Sequence, residues 1–273
     1  EAYREKLKKI KAPKEAKEKI AKEIDKFART SPASPDSSVI RTYLDTIFSL
    51  PWNKETRDKI DLKNAKRLFD EYVANYDKDN PKVALKIEHT YRVMEASKNV
   101  AVSLGLDQDE IDLASLIGLL HDIGRFEQLK RYNCFIDSKT IDHALLGVQI
   151  LFDDNLISKF DIDQKDYPLI YKAIFNHNKY KIAEGLSEHE MLHCKIIRDA
   201  DKIDIFKTGL LETFEAFLDA GQEILENDII TESIYETFMN SESILSTTRK
   251  TDLDRWVSFL ALIFDLNYQY SCN

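Results

Sequence analysis

Glycine and proline are scarce in this chain, with 7 and 6 residues in 273. So few turn formers disfavour the many short strands of a sandwich or barrel and favour long helices. Cysteine is scarcer still. Cys134, Cys194 and Cys272 are an odd number at spacings that suit neither a disulfide framework nor a zinc motif, so they read as free thiols in a reducing compartment. No apolar run approaches the ~18 residues of a membrane-crossing helix, and no signal-type segment opens the sequence. Together these absences predict a cytoplasmic globular protein with no membrane partner. The first residue is Glu1 rather than Met, which reads as a processed or trimmed N-terminus.

What is present is unevenly distributed. Hydrophobic residues make up 43% of the chain and charged ones 32%, the balance of a globular protein with ample core. The net charge of −9 hides a step: residues 1–70 hold 18 Lys+Arg against 12 Asp+Glu, whereas the remainder holds 21 against 36. An acidic second region argues against broad nucleic-acid binding, which needs a cationic surface. A small anionic substrate remains compatible, because bound cations would invert the local field. The step also marks a domain boundary at residues 70/71.

Nothing in the sequence alternates with the period of a sheet, so the expected fold is all-α: a helical bundle preceded by a small helical N-terminal segment. In that segment Ala16, Ile20, Ile24 and Phe27 form a stripe on a helix over 13–29, with Pro13 in its first turn. Ser37 or Ser38 is suited to cap the next helix, which Pro51 ends, and Asp61 opens another. Further helices are expected at 82–104, closed by Gly105, and from Asp107 or Asp109 to His121. Residues 126–141 read as a loop-rich connection. Helices then follow at 142–153, 166–177, 187–208, 210–219, 229–240 and 250–267.

The motif LLHDIGRFEQ at 119–128 sets His121 and Asp122 side by side after an apolar helix. An imidazole and a carboxylate so placed suit a divalent cation, which lowers the pKa of a water molecule into the neutral range. The chain has six histidines, and four fall in an ordered series: His89 in EHTYRV, His121, His143 in DHALLG and His177 in FNHNKY. The series closes on RDADKID, with Asp199, Asp201 and Asp204. In this order and context the residues resemble the HD superfamily of metal-dependent phosphohydrolases, over about residues 70–210 and as far as the C-terminus at the widest.

That resemblance implies a metal-activated water that cleaves a phosphate ester, with a nucleotide or nucleotide-derived molecule as the default substrate. It assigns His89, His121, Asp122 and Asp201 to a first ion, and His143 and His177 to a second, with Asp122 shared between them. The donor set suits Mn, Fe, Co, Ni or Zn, and Mg less well. Asn178 departs from members with a further histidine at that place, which leaves the number of ions at one or two. Arg125 is a candidate to neutralise a phosphate oxygen, Glu127 to act as a general acid and Lys202 to contact phosphate. Asp204 is suited to orient a ligand imidazole, and Asp199 to a structural role. Lys139, Asn176 and Lys179 border the expected pocket, whereas His189 and His193 read as solvated. Two other readings stay open: a di-iron oxygenase using the same six ligands, and a non-catalytic adaptor stabilised by metal.

The N-terminal segment carries a second resemblance. Residues 39–71, VIRTYLDTIFSLPWNKETRDKIDLKNAKRLFDE, are similar to the helical region upstream of the ATPase module of Lon proteases. No phosphate-binding glycine loop and no Ser-Lys protease domain follow it here. The segment is therefore expected to serve structure or association, with a second copy of the chain or with a partner.

Overall fold

The computed structural model describes residues 2–50, 52, 60–211 and 226–272, and no strand occurs among them. The chain divides into two compact units, Glu1–Arg57 and Asp58–Asn273. No described helix is long and apolar enough to cross a membrane. Cys134, Cys194 and Cys272 are free thiols.

The first unit comprises α1 (Ala2–Lys9), α2 (Lys14–Arg29) and α3 (Pro35–Ser49). The stripe of α2 is satisfied inside this unit, where Ile20 and Ile24 pack with Ile40 and Leu44 of α3. Pro13 takes the N-cap position of α2. The cap of α3 lies earlier than expected. Ser34, not Ser37 or Ser38, accepts from the Asp36 amide, because Pro35 is well suited to the first helical position. Pro51 is outside the described residues.

The second unit starts with α4 (Leu62–Val73), capped by Asp61, and here the structure moves the expected boundary. Phe69 of α4 is fully buried, edge-on to Phe126 and to Tyr91. Helix α4 therefore belongs to the larger core, and the division falls at 57/58 rather than 70/71. Helix α5 (Pro81–Ser103) is followed by Gly105 at a φ of 69°, and α6 (Gln108–Leu120) starts from the Asp107 cap. Every residue from Leu113 to Leu120 is buried, which makes α6 the central helix, packed by α4, α5, α9 and α10. The expected loop-rich stretch begins instead with helix α7 (Ile123–Tyr132), whose Ile123, Phe126 and Leu129 are buried. Asn133 ends it in the left-handed conformation, and only 133–142 is irregular apart from one short 3-10 turn.

Next come α8 (His143–Val148), which runs on through a π-turn to Asp153, then α9 (Tyr167–Asn176) and α10 (Glu188–Leu211). The helix expected at 210–219 lies, from residue 212, outside the described residues. Among the described residues, helices α11 (Glu232–Met239) and α12 (Asp252–Leu260) follow, the latter opened by a Thr251–Asp254 capping box.

Candidate metal centre

Six helices position six side chains at one buried point in the second unit. His89 comes from the middle of α5 and Asp201 from α10, while His121 and Asp122 sit between α6 and α7. His143 opens α8, and His177 follows the last residue of α9. Two glycines allow these helices to approach. A Cβ at Gly118 would lie 2.8 Å from the Met94 Cα of α5, and one at Gly124 would lie 2.3 Å from the His143 carbonyl oxygen. The first contact brings His121 towards His89, and the second brings Asp122 towards His143.

Each imidazole is aimed by its Nδ1. His121 and His177 stand at helix C-termini, where carbonyls lack intrahelical partners. Their Nδ1 atoms lie 2.8 Å from the Gly118 carbonyl and 2.6 Å from that of Ile174, three residues back in each case. His89 and His143 are held instead by carboxylates, with Nδ1 2.7 Å from Asp204 and 2.6 Å from Asp137. A proton on Nδ1 leaves the Nε2 lone pair for a cation. All four Nε2 atoms face Asp122, which lies at the start of α7 yet makes no capping bond with its side chain.

The two oxygens of Asp122 serve different sides. Oδ2 is 3.4 Å from His89 Nε2 and 3.6 Å from His121 Nε2, and these nitrogens are 3.2 and 3.7 Å from Asp201 Oδ1. Oδ1 is 3.3 Å from His143 Nε2 and 3.6 Å from His177 Nε2. The groups His89–His121–Asp122 and Asp122–His143–His177 each have the spacing of a metal-ligand set. His89 Nε2, His121 Nε2 and Asp122 Oδ1 are buried without hydrogen-bond partners. Such orphaned atoms are uncommon in protein interiors. Imidazole nitrogens with shared carboxylate oxygens are the donors that divalent transition metals take, so the residues fit the expected ions.

Electrostatics follow from this crowding. Burial alone would raise the pKa of Asp122, but the Lys86 ammonium, 2.8 Å from Oδ2, and the surrounding imidazoles hold it well below the usual carboxylate range. Burial opposes a charge on His89, yet Asp122, Asp201 and Asp204 outweigh it and lift its pKa to about 9. Burial and the Arg125 guanidinium push His143 down to about 4.

The structure separates the remaining expected residues. Arg125 lines the centre: its Nε faces Asp122 Oδ1 at 3.6 Å, while Nη1 ties down Phe135 O and Asp137. Asp204 orients His89 as expected and is itself gripped by Arg92. Asp199 is structural, accepting from Asn267 and Tyr268 amides. Glu127 does not reach the cluster. Its carboxylate is taken up by the Tyr76 hydroxyl and Arg131, because its face of α7 turns to α4 and its flank. Lys202 is likewise absent from it. One residue round the helix from Asp201, it pairs with Asp265 and the Arg198 carbonyl. Asn176 is used by the Lys172 carbonyl and the Ala183 amide, Lys179 pairs with Asp142, and Lys139 is exposed. Asn178 donates to Asp137 and Asp142, supporting the His143 anchor.

Three residues that sequence reasoning passed over matter here: Lys86, Arg92 and Asp137. The first two lie three residues to either side of His89, on its face of α5, a signal that was available. Asp137 sits in an irregular segment where no periodicity points to it.

Residues 87–205 match the family model of the HD domain. This segment is an HD domain. The match places it in a superfamily of metal-dependent, hydrolase-type proteins. The N-terminal region is similar to a different family. The Lon protease of Clostridioides difficile (strain 630) is 72% identical over 69 residues, or 25% of this chain and 9% of that protein. The Lon protease of Elusimicrobium minutum (strain Pei191) is 48% identical over 79 residues, or 29% and 9%. The chain thus spans 9% of the length of either relative. No solved structure matches the chain.

Proposed function

We propose that the chain is a phosphohydrolase that cleaves a phosphate ester, of a nucleotide or nucleotide-derived molecule, with water. His89, His121, Asp122 and Asp201 would hold one divalent ion, and Asp122, His143 and His177 a second. When bound, such ions lower the pKa of water and draw charge from phosphoryl oxygens. The observation that carries the reading is a pair of side-chain cations at the rim. Lys86 Nζ and the Arg125 guanidinium each lie 5.7 Å from the Phe135 ring, and both also approach Asp122. They are suited to receive the oxygens of a phosphate group as its ester bond breaks. Oxidation of a neutral substrate at the same ligands would have no use for this pair. Asp201, at 19% exposure, is the least buried ligand and marks the side open to water and substrate.

The experiment is a phosphate-release screen of phosphorylated metabolites with Mn, Co, Ni and Mg, using Lys86→Ala as comparison. Hydrolysis that falls with Lys86→Ala supports the reading. No release with any metal, together with iron absorption bands and dioxygen consumption in protein purified without oxygen, would replace it with the oxygenase. Around this activity we place a cytoplasmic protein with free thiols, and an N-terminal segment that associates with a second copy or a partner.

A further inference from the structure

A second group of ligating side chains lies at the far ends of two helices that build the HD centre. Glu110 is in the first turn of α6, eleven residues before His121, and His193 precedes Asp201 by eight residues on α10. At 1.5 Å per residue these intervals are about 16 and about 12 Å along the axes, so the group is separate from the centre. His189 and His193, four residues apart, share one face of α10. Their Nε2 atoms converge on a single oxygen, Glu110 Oε2, at 2.7 and 2.8 Å, with ring centroids 5.2 Å apart. The expectation that both histidines are solvated fails for His193, which is buried in line with Ile197, Ala200 and Asp204.

A buried imidazole is a poor choice for packing alone. His193 Nδ1 has no hydrogen-bond partner among the described residues, so the ring carries an unmatched polar atom into the core. An apolar side chain would avoid that, and what histidine adds is Nε2, directed at Glu110. Two imidazole nitrogens from an i, i+4 pair and one carboxylate oxygen form the protein donor set of three-ligand zinc sites, where water takes the fourth place. His189, 43% exposed, leaves a side open for that water. Calcium and magnesium prefer all-oxygen surroundings and do not suit this set.

We propose that Glu110, His189 and His193 form a second transition-metal site, of zinc type, that ties the start of α6 to α10. Its effect is mechanical. Fixing these helices at one end sets the axial register of His121 and Asp122 against Asp201 at the other.

The test uses full-length Asp122→Ala as background, because that change removes the carboxylate shared by both halves of the HD centre. Cobalt(II) titrated into it should give the visible bands of a tetrahedral nitrogen and oxygen site. Adding His189→Ala should remove one equivalent of bound cobalt, and adding Glu110→Gln should weaken binding about tenfold or more. Zinc should raise the melting temperature of Asp122→Ala but not of the variant that also lacks His189. Because His189 is half-exposed, its loss leaves the packing intact, and circular dichroism checks this. Equal cobalt content with and without His189, or no cobalt in the Asp122→Ala chain, would overturn the site. Neither result bears on hydrolysis at the HD centre, which is read in the protein with Asp122 in place.

Discussion

The unit Glu1–Arg57 and the unit Asp58–Asn273 are both helical, but their interiors follow different rules. The first is held by Ile20, Ile24, Ile40 and Leu44, and among its described residues Ser37 is the buried polar side chain. The second buries His89, His121, Asp122, His143, His177, His193, Arg198, Asp199, Lys202 and Asp204 beside a large apolar core. Burying polar groups costs free energy unless every one is partnered. Where a sequence keeps so many, the residues were set by chemistry as well as by folding. The small unit shows what this chain builds when packing alone decides.

Removing the carboxylate at the heart of the second interior should produce the largest contrast. Asp122→Ala should abolish metal loading of the HD centre and its hydrolysis together, because each carboxylate oxygen serves a different pair of histidines. The first unit should be untouched. Metal analysis and turnover check this, and wild-type values for both would sink the assignment of the centre.

Truncating one core residue in each unit sharpens the boundary. Phe69→Ala should cost about 3–5 kcal/mol and reduce metal loading, since Phe69 belongs to the core around α6. Leu44→Ala should cost about 2–5 kcal/mol within the first unit and spare the metals. Denaturant unfolding followed by metal content separates the two. A Phe69→Ala chain that unfolds only its first unit would restore the division at residue 70.

A smaller effect is expected at the anchors. Asp137→Asn should weaken the ion shared by His143 and His177 by about 10–100-fold, because it loosens the Nδ1 contact that aims His143. The ion at His89 and His121 should keep its affinity. Equal weakening of both ions in a two-site titration would contradict this division of labour.

The mildest change needs no mutation. In the metal-free protein the pKa of His89 is raised to about 9, so its charge favours the folded state fully below its unfolded value near 6.5. That stability is lost as pH rises from there through about 9. Metal binding must displace the same proton, so affinity should climb by about tenfold per pH unit over the window and level off above it. Affinity that is flat from pH 7 to 9 would show that His89 is already neutral.

Much of this was readable from residues and spacing. The histidine series lies on the helices expected of it, and Asp61 and Asp107 cap as their positions imply. Errors arose where direction mattered more than proximity. Lys202 adjoins Asp201 in sequence, but a helix turns about 100° per residue, and it faces Asp265. Helix α7 was missed because its apolar residues are few, and because Asn133 rather than glycine closes it. The burial of His193 could have been found from its spacing to Ile197, Ala200 and Asp204. Nothing in the sequence announces Asp137, since its place depends on how an irregular segment returns to α8.

The four Nδ1 anchors have a consequence for how this protein comes to maturity. Two are carbonyls of the histidine's own helix and two are carboxylates, so every ring is aimed by atoms of the chain itself. Folding and metallation are then consecutive events rather than one event, unlike domains that collapse around their ion. A chelator should strip the protein without melting it, and reloading should need no refolding. Among manganese, iron, cobalt, nickel and zinc, the ion taken up by such a finished site would depend on the supply of each metal as well as on the geometry and donors already in place.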